Sequence, residues 1–310
     1  MLNKINALII GAGNISAFYD TPSTDNVLSH AHAITKNDNF RLIGFVDTFL
    51  EKAQKAAHIW GGKGFSSLTE VKERIDLICV AVPDQYHYSV VRDAVAIRPK
   101  VVIIEKPIAI DINEGIQLVE FVTKHNICAE VNYSRRFING FSYLKEQLPY
   151  FGDLLGGSVL YGKGLLHNGS HMVNLLLYLF DTMDVVNSLN SVDDYTQVDK
   201  SKEIVYSING VHVIFQPVDA RIVTTFEFDL CFSKGRVKYD GAKAELLFYT
   251  IGDSDVYVGE RNYVYDRSIK LSASEAMINL YEHIVELLAE KDNVISSVYD
   301  AYRTLQLCKV

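Results

Sequence analysis

Cysteine is scarce in this chain of 310 residues, which has only four. No two of them have the spacing of a zinc finger or a redox-active pair, so we expect reduced thiols in a cytoplasmic protein. Positive charge is also in short supply, because 30 lysines and arginines against 38 aspartates and glutamates leave a net charge of −8. This balance argues against a general nucleic-acid binder. The cysteines are Cys79, Cys128, Cys231 and Cys308.

Long hydrophobic runs are missing as well. The apolar stretch Ile5–Ile10 is followed at once by Gly11, whereas a signal peptide needs a longer apolar region and a cleavage site. The run from Leu175 to Phe180 is far too short to cross a bilayer. The sequence therefore predicts a cytoplasmic enzyme or binding protein with no membrane partner.

The order of strands and helices predicts an α/β chain of two domains. A length of 310 residues exceeds what one hydrophobic core usually serves. Up to about residue 130, apolar strands alternate with helical stretches, which is typical of a Rossmann-type doubly wound parallel sheet. Residues 131–310 are richer in β-branched and aromatic residues, with a hairpin signal at Asn209-Gly210, and predict an α+β domain with a largely antiparallel sheet. The first five strands are predicted at Ile5–Ile10, Phe40–Val46, Leu77–Val82, Val101–Ile104 and Ala129–Asn132.

The first strand leads into the glycine motif Gly11-Ala12-Gly13-Asn14-Ile15-Ser16. Its glycines allow a tight turn and close approach of the backbone to a pyrophosphate, which the following helix N-terminus stabilises. Ser16 stands where the motif usually has a third small residue, and we expect it to cost some close packing. A strand-to-helix turn that binds no ligand is the alternative interpretation.

Asp47 ends the second strand and bears on the choice of cofactor. A carboxylate at this point accepts hydrogen bonds from the adenosine ribose and repels a 2′-phosphate, so NAD is favoured over NADP. The polar loop from Tyr19 to His30 explains the long spacing between Gly13 and Asp47. Asp47 could instead cap the next helix, which would be compatible with either cofactor.

Two further strand ends carry candidate residues. Pro83 follows the third strand, with His87 four residues beyond it, where the chain could pass the nicotinamide half of the cofactor or His87 could only cap a helix. Glu105-Lys106-Pro107 follows the buried run Val101–Ile104. Open α/β sheets bind their ligands at such carboxyl ends. A glycine turn and a lysine there suggest a nicotinamide site beside an amine that handles protons.

Together these residues resemble the Gfo/Idh/MocA oxidoreductase family, which includes glucose–fructose oxidoreductase and inositol dehydrogenase. Glu105-Lys106-Pro107 matches the most specific motif of that family. The other segments that resemble the family are Gly11–Ile15, Val46-Asp47, Pro83 with His87, Asn132–Phe137, Gly164–His171 and Asp300–Leu305.

The resemblance implies roles for individual residues. Lys106 would sit between nicotinamide and substrate, and His171 would contact the reacting hydroxyl. The family usually has aspartate four residues earlier, where this chain has His167, and often aspartate where it has Asn174. His171 is the expected base, with Lys106 polarising the substrate oxygen, and the two could exchange roles. His167 could act as a hydrogen-bond relay.

The expected activity is NAD(P)-dependent oxidation or reduction at a secondary hydroxyl of a sugar, nucleotide sugar or cyclitol. A sugar-sensing regulator that binds NAD(P) without turnover is the alternative, suggested by the departure at His167. The resemblance also implies a homodimer or homotetramer paired through the open face of the second sheet. The expected cofactor-binding residues are Gly11, Gly13, Asn14, Ile15, Asp47, Pro83, His87, Glu105 and Lys106, and the expected substrate-binding residues are Tyr133, Arg135, Arg136 and Asn174.

Two groups of candidates keep a second interpretation. Arg135 and Arg136 could grip a substrate carboxylate or phosphate, or one of them could form a salt bridge between the domains. His167 and His171 have a spacing that could bind a metal on a helix. No third ligand is evident, and hydride transfer to nicotinamide needs no metal. We therefore expect no metal site.

Overall fold

The computed structural model describes residues 4–310, which form two compact units. The first unit contains the chain up to Phe137 together with Ala273–Leu305, and the second contains Ile138–Ser272 and Gln306–Val310. This division differs from the expected domains 1–130 and 131–310, because the chain returns to the first unit after residue 272. Side chains of the returning segment, among them Leu280 and Tyr281, belong to the core of the first unit.

The first unit is built on a parallel sheet, as predicted, but the sheet has six strands where the sequence indicated five. The strand order is β3-β2-β1-β4-β5-β6, so the chain reverses its direction of strand addition between β1 and β4. Its strands are β1 (Ile5–Ile10), β2 (Phe40–Val46), β3 (Lys63–Phe65), β4 (Leu77–Val80), β5 (Val101–Ile104) and β6 (Cys128–Val131). The helices between them are α1 (His30–Lys36), α2 (Leu50–Trp60), α3 (His87–Val95) and α4 (Ile112–Lys124).

Local sequence explains where these elements start. All four residues of β5 are buried, which fits an uninterrupted apolar strand covered on both faces. Asp111 caps α4, because its carboxylate accepts hydrogen bonds from Asn113 N at 2.7 Å and Glu114 N at 3.3 Å. The first crossover differs from the expectation of a helix directly after the glycine motif. A single π-helical turn, Asn14–Phe18, is followed by a loop, and α1 begins only at His30.

Asp20 fixes the loop between the π-helical turn and α1. Its carboxylate accepts hydrogen bonds from Leu28 N at 2.6 Å and from the Ser29 hydroxyl at 2.5 Å, and it lies 2.9 Å from His32 Nδ1. Asp20 and His32 are both buried. The polar loop of the sequence is therefore held by an internal carboxylate rather than left to solvent.

The second unit contains an eight-stranded, mostly antiparallel sheet in the order β14-β13-β12-β11-β7-β10-β9-β8. Only β7 and β10 pair in parallel. The strands are β7 (Leu154–Tyr161), β8 (Asp184–Thr196), β9 (Asp199–Ile208), β10 (Val211–Pro217), β11 (Phe226–Phe232), β12 (Gly235–Asp240), β13 (Glu245–Asp253) and β14 (Arg261–Lys270). Its helices are α5 (Asn139–Phe151) and α6 (Ser170–Phe180). The chain ends with α7 (Ala273–Leu288) and α8 (Val298–Cys308).

The Asn209-Gly210 hairpin is confirmed, since both residues have positive φ, 51° and 82°, and join β9 to β10. The strand β11 begins only at Phe226, because Ile222 and Val223 both donate their N–H groups to Asp219 O in the turn before it. None of the helices within residues 4–310 is long and apolar enough to cross a membrane.

Candidate active site

Three of the predicted segments follow neighbouring strands of the first sheet. The glycine motif follows β1, Pro83 follows β4, and Lys106 follows β5, and these strands are adjacent in the order β1-β4-β5. Because the strands are parallel, their carboxyl ends lie along one edge of the sheet. The edge includes the point between β1 and β4 where strand order reverses, which is where doubly wound sheets bind dinucleotides.

The glycines of the loop have different tasks. Gly11 has φ +95°, and a Cβ there would lie 2.4 Å from Ala81 O, so the packing of the loop on the end of β4 requires glycine. At exposed Gly13 a Cβ would meet no atom within 4 Å. The space over Gly13 leaves the backbone open to close approach, and the first amides of the turn beginning at Asn14 have no carbonyl of that turn to bond. This loop fits the pyrophosphate of a dinucleotide.

Asp47 is tied to the glycine loop. Its Oδ2 accepts a hydrogen bond from Ala12 N at 2.8 Å, and its Oδ1 accepts one from Phe49 N at 2.9 Å. The N-cap position of α2 is Phe49, so Asp47 does not act as the helix cap that the sequence allowed. The carboxylate therefore links the end of β2 to the loop after β1, a contact that the sequence analysis missed.

His87 faces the interior. Only 1% of the residue is exposed, and its ring nitrogens lie 3.0 Å from Val82 O and 3.3 Å from Ile108 O. Burial lowers the pKa of His87, so the ring is neutral and donates to one carbonyl at a time. These contacts join the segment after β4 to the segment after Lys106 and indicate a structural role, while exposed Pro83 stays at the sheet edge.

Glu105 also faces inward, into a network that the sequence analysis did not predict. Its Oε1 lies 2.9 Å from His30 Nε2 and accepts a hydrogen bond of 2.6 Å from Asn132 Nδ2. The other ring nitrogen of His30 lies 2.9 Å from the Tyr281 hydroxyl. The four side chains come from α1, α7, the end of β5 and the end of β6, so no sequence spacing could have revealed the network.

The charges of this network are complementary. Burial alone would lower the His30 pKa, but Cys79 and Glu105 beside the ring outweigh it and raise that pKa. Burial would likewise raise the Glu105 pKa, but the hydrogen bonds from His30 and Asn132 and the charge of Lys106 hold it below its ordinary value. Glu105 is thus a buried carboxylate paired with an imidazolium, and its task is to fix the backbone that carries Lys106.

Lys106 is half-buried at the carboxyl end of β5, and the peptide bond between it and Pro107 is cis. Its backbone N–H lies 3.3 Å from Glu105 Oε2. The residue therefore follows a strand that is buried throughout and a carboxylate that is bonded on two sides. This is a firm support for an amine that must be placed accurately.

The two arginines after β6 differ in surroundings. Arg136 is 5% exposed, and its Nη1 donates hydrogen bonds to Ile295 O at 2.8 Å and Asp300 Oδ2 at 3.1 Å. It joins two segments of the first unit, so its guanidinium is engaged in structure rather than placed for a substrate anion. Arg135 is half-buried, and Tyr133 is buried in the same turn-forming segment. Of the two arginines, Arg135 therefore remains the candidate for substrate binding.

In the second unit, side chains of β8 and β9 hold the turn that leads to the two histidines. Lys163 and Gly164 both have positive φ, 64° and 80°. Asp194 Oδ2 accepts a hydrogen bond from Lys163 N at 2.9 Å, and Ser201 Oγ accepts one from Gly164 N at 2.9 Å. A Cβ on Gly164 would lie 2.3 Å from Asp199 Oδ2, so the turn also requires glycine for space. A π-helical segment, Gly164–Gly169, then enters α6.

His167 lies beside Asp199. The distance from His167 Nδ1 to Asp199 Oδ2 is 2.9 Å, and Asp199 also accepts hydrogen bonds from Leu166 N at 2.8 Å and His167 N at 2.9 Å. Burial would raise the Asp199 pKa, but His167 and these amides lower it. His171 is half-buried in the first turn of α6, where buried Asn174 lies one turn later. Asp199 was missed because it is 32 residues from His167, in no recognisable motif.

Within residues 4–310, no group of three or more histidines, cysteines, aspartates and glutamates is arranged to hold a metal ion. His167 and His171 therefore have no third ligand of these types in the part of the chain that the structure describes. The partner of His167 is a carboxylate that also binds two backbone amides.

Comparison with known proteins gives matches to oxidoreductases. Residues 5–133 match the Gfo/Idh/MocA family model, described as an oxidoreductase family with an NAD-binding Rossmann fold. The chain is 23% identical to the glucose-6-phosphate 3-dehydrogenase of Bacillus subtilis over 61% of this chain and 62% of that protein. The matched part is thus less than two thirds of that relative's length.

Solved structures share the fold over nearly the whole chain. One is an oxidoreductase from Desulfitobacterium hafniense described as NADPH-dependent, with a TM-score of 0.81, 14% identity, and coverage of 99% of this chain and 94% of that chain. Another is the UDP-N-acetylglucosamine 3-dehydrogenase from Acidithiobacillus ferrooxidans, with a TM-score of 0.76, 16% identity, and coverage of 99% and 97%. Motifs, sheet and family match agree that residues 5–133 resemble the NAD-binding Rossmann domain of the Gfo/Idh/MocA oxidoreductases.

Proposed function

We propose that the protein transfers a hydride between a nicotinamide cofactor and a secondary hydroxyl or keto group of a sugar phosphate or nucleotide sugar. The observation that carries this proposal is the sheet edge where the glycine loop, Pro83 and Lys106 follow three adjacent strands. A dinucleotide bound across that edge would run from the glycine loop towards Lys106. The lysine is then beside the nicotinamide end rather than the adenosine end.

Asp47 supports NAD as the cofactor. Its carboxylate is fixed by Ala12 N and Phe49 N, and each oxygen has a second lone pair for a ribose hydroxyl. The negative charge at this position would repel the 2′-phosphate of NADP. Asp47→Asn, which keeps an acceptor and removes the charge, should narrow the preference for NAD over NADP by about tenfold or more, as the loss of a charged hydrogen bond implies. The affinity for each nucleotide is measured by adding it to the protein and following the intrinsic fluorescence.

Lys106 and His171 are the proposed proton-handling groups. When bound, the nicotinamide accepts or supplies the hydride. Oxidation of a carbinol also requires removal of the hydroxyl proton, and an imidazole has an ordinary pKa close to neutrality, as a general base should. We assign proton acceptance to the His171 imidazole and polarisation of the same oxygen to Lys106 Nζ. His167 relays the proton onward.

Two observations favour a phosphorylated hexose or nucleotide sugar oxidised at carbon 3. Both the Bacillus subtilis relative and the Acidithiobacillus ferrooxidans structure are named as 3-dehydrogenases of such compounds. In this chain, half-buried Arg135 supplies a guanidinium that could bind a phosphate through two parallel hydrogen bonds. Glucose 6-phosphate and UDP-N-acetylglucosamine are therefore the first substrates to test.

The test is formation of reduced nicotinamide, followed by absorbance, with each candidate sugar and with NAD or NADP. Lys106→Ala and His171→Ala should each lower kcat by at least about a hundredfold, and His171→Ala should leave nucleotide binding intact. Lys100→Ala is the matched control, since exposed Lys100 precedes β5 at the opposite end of the strand from Lys106 and pairs only with Asp76 in the described contacts.

Near-normal turnover in both catalytic variants would overturn the assignment of the proton-handling groups. Nucleotide binding by the wild-type protein without turnover on any sugar would instead favour the sensor interpretation. A rise in the thermal midpoint with NAD separates these cases from loss of the nucleotide site, because a ligand that binds the folded state stabilises it by mass action.

We also propose that two copies pair through the open face of the second sheet. Large apolar side chains of β8, β10 and β14 are exposed in the single chain, among them Leu189, Ile214 and Tyr265. Pairing of two copies would remove such apolar surface from water, and exposed apolar patches commonly mark protein interfaces. The molar mass in solution, measured by light scattering, should be at least twice that of one chain. Tyr265→Lys should lower it.

A further inference from the structure

Asp199 and His167 form the closest carboxylate–imidazole contact in the second unit among the described residues. We propose that they act as a histidine–aspartate pair in which Asp199 is the positioning residue for proton relay through His167. The inference rests on the proposed function, which places His167 in the path of the proton. It extends that function by adding a residue from a different strand to the site.

The position of the carboxylate is fixed from several sides. Leu166 N and His167 N donate to its two oxygens, Thr196 Oγ1 accepts a hydrogen bond from Asp199 N at 3.1 Å, and only 6% of the side chain is exposed. His167, by contrast, has 40% of its side chain exposed. The buried Asp199 carboxylate thus fixes the Nδ1 edge of the His167 ring, while the rest of the ring is partly exposed at the surface of the unit.

This contact determines which ring nitrogen carries the proton. An ionised carboxylate can only accept hydrogen bonds, so His167 Nδ1 must carry hydrogen in order to bond Asp199 Oδ2. In the neutral ring, Nε2 is then the basic atom, where a further proton would be taken up.

The arrangement accounts for the departure at residue 167. The resemblance implies a carboxylate there, whereas this chain has an imidazole with a carboxylate supplied from the first residue of β9. The pair carries one negative charge with the ring neutral, as an aspartate at residue 167 would, but its proton-accepting atom is a ring nitrogen. An imidazole base therefore stands where the resemblance implies a carboxylate base, and Asp199 supplies the negative charge.

The direct test is the tautomer of His167, read from the ring nitrogen signals of protein labelled at histidine, with His167→Gln used for assignment. The wild-type ring should carry its proton on Nδ1. Asp199→Asn cannot keep all three contacts, because Leu166 N binds Oδ1 whereas His167 N and Nδ1 both lie on Oδ2. With the amide oxygen on Leu166 N, the NH2 group faces Nδ1 and the proton should move to Nε2. The same change in a serine protease leaves the geometry intact and enforces the wrong tautomer. Asp199→Ala offers Nδ1 no acceptor at all and should also lose the preference for the Nδ1 proton.

Asp194→Asn is the matched control. Asp194 holds the same turn by accepting a hydrogen bond from Lys163 N and also accepts one from Ala220 N after β10, but it does not contact His167 in the described structure. This variant should retain the Nδ1 proton on His167. An unchanged tautomer in both Asp199→Asn and Asp199→Ala, or the same change in Asp194→Asn, would overturn the pairing.

Kinetics provide the second arm. Asp199→Asn should lower kcat by at least about a hundredfold with little change in KM, as expected for loss of an oriented proton acceptor. Asp199→Asn in a His167→Gln background should cause no comparable further loss, because the two residues act as a unit. Additive losses in the double variant would overturn the relay. Absence of turnover in the wild-type protein would count against the proposed function alone, since the tautomer experiment judges the pair without substrate.

Discussion

Ser16 occupies the third small position of the glycine loop and has a cost that can be measured. The residue is fully buried, and no hydrogen-bond partner for its hydroxyl occurs within residues 4–310. A buried hydroxyl without a partner costs about 1–3 kcal/mol relative to a satisfied one. The loop has kept a polar atom where an apolar methyl or a hydrogen would suffice.

Replacement of Ser16 by alanine should therefore raise the free energy of unfolding by about 1 kcal/mol. Urea unfolding without nucleotide measures this, and Ser23→Ala, in the exposed part of the following loop, is the control that should change little. A loss of stability in Ser16→Ala would mean that the hydroxyl has a partner, such as a bound water. Repeating the measurement with NAD would show whether the cofactor supplies one.

Alanine variants of the two adjacent arginines should differ, with Arg136→Ala affecting stability and Arg135→Ala affecting substrate binding. Arg136→Ala leaves Ile295 O and the Asp300 carboxylate without their donor, so it should lower the free energy of unfolding by about 2 kcal/mol. Arg135→Ala should leave stability almost unchanged and raise KM for a phosphorylated sugar by about tenfold or more. Thermal unfolding and substrate saturation curves of both variants measure this. The reverse pattern would show that Arg136 is the anion-binding residue.

At the scale of elements, β8 and β9 matter because their side chains hold the turn that enters α6. Asp194, Asp199 and Ser201 together accept four backbone N–H groups from residues 163–167. Two consecutive residues with positive φ would be costly without such support. The hairpin is thus the frame for His167 and His171, although neither histidine belongs to it.

The pH dependence of stability should reveal the contribution of the ionised Asp199 carboxylate, which holds this turn. The Asp199 pKa is lowered in the folded protein, so the ionised carboxylate stabilises the fold above its ordinary pKa of 3.8, and this contribution is lost as the pH falls through and below that value. Between about pH 6 and about pH 3, wild-type protein should therefore lose more stability than Asp199→Asn, which does not titrate there. Urea midpoints at several pH values measure the difference. Parallel pH profiles would show that folding does not lower the Asp199 pKa.

The elements that sequence predicted well are those set by local rules. The α4 helix begins after its Asp111 cap, and β5 is an apolar run with no polar interruption. Contacts between segments that are far apart in the sequence could not be predicted. The His30–Glu105 pair spans 75 residues and the His167–Asp199 pair 32, and each depends on which side chains a sheet or helix turns inward. Histidine and aspartate are common types whose pairing leaves no local pattern.

At the scale of the whole molecule, the first unit is interrupted in sequence. It closes only when Ala273–Leu305 returns, with Asn279 Nδ2 donating to Phe137 O at 2.7 Å and the Tyr281 hydroxyl 2.9 Å from His30 Nδ1. The sequence predicts a domain boundary at residue 130 because the regular alternation of strands and helices ends there. The alternation does not show whether a later helix, such as α7, packs its apolar face into the first core or the second.

The interruption predicts how truncated chains should behave. Met277, Leu280, Tyr281 and Ile284 are at most 4% exposed, and burial of each such side chain contributes about 1.5–3 kcal/mol. Their sum is comparable with the whole stability of an ordinary domain, about 5–15 kcal/mol. Residues 1–137 alone should therefore fail to unfold cooperatively, whereas the same residues joined by a flexible glycine–serine linker to residues 273–305 should unfold cooperatively and be stabilised by NAD. Thermal unfolding followed by circular dichroism measures both. Cooperative unfolding of 1–137 at the midpoint of the joined chain would show that the returning segment adds nothing to this core.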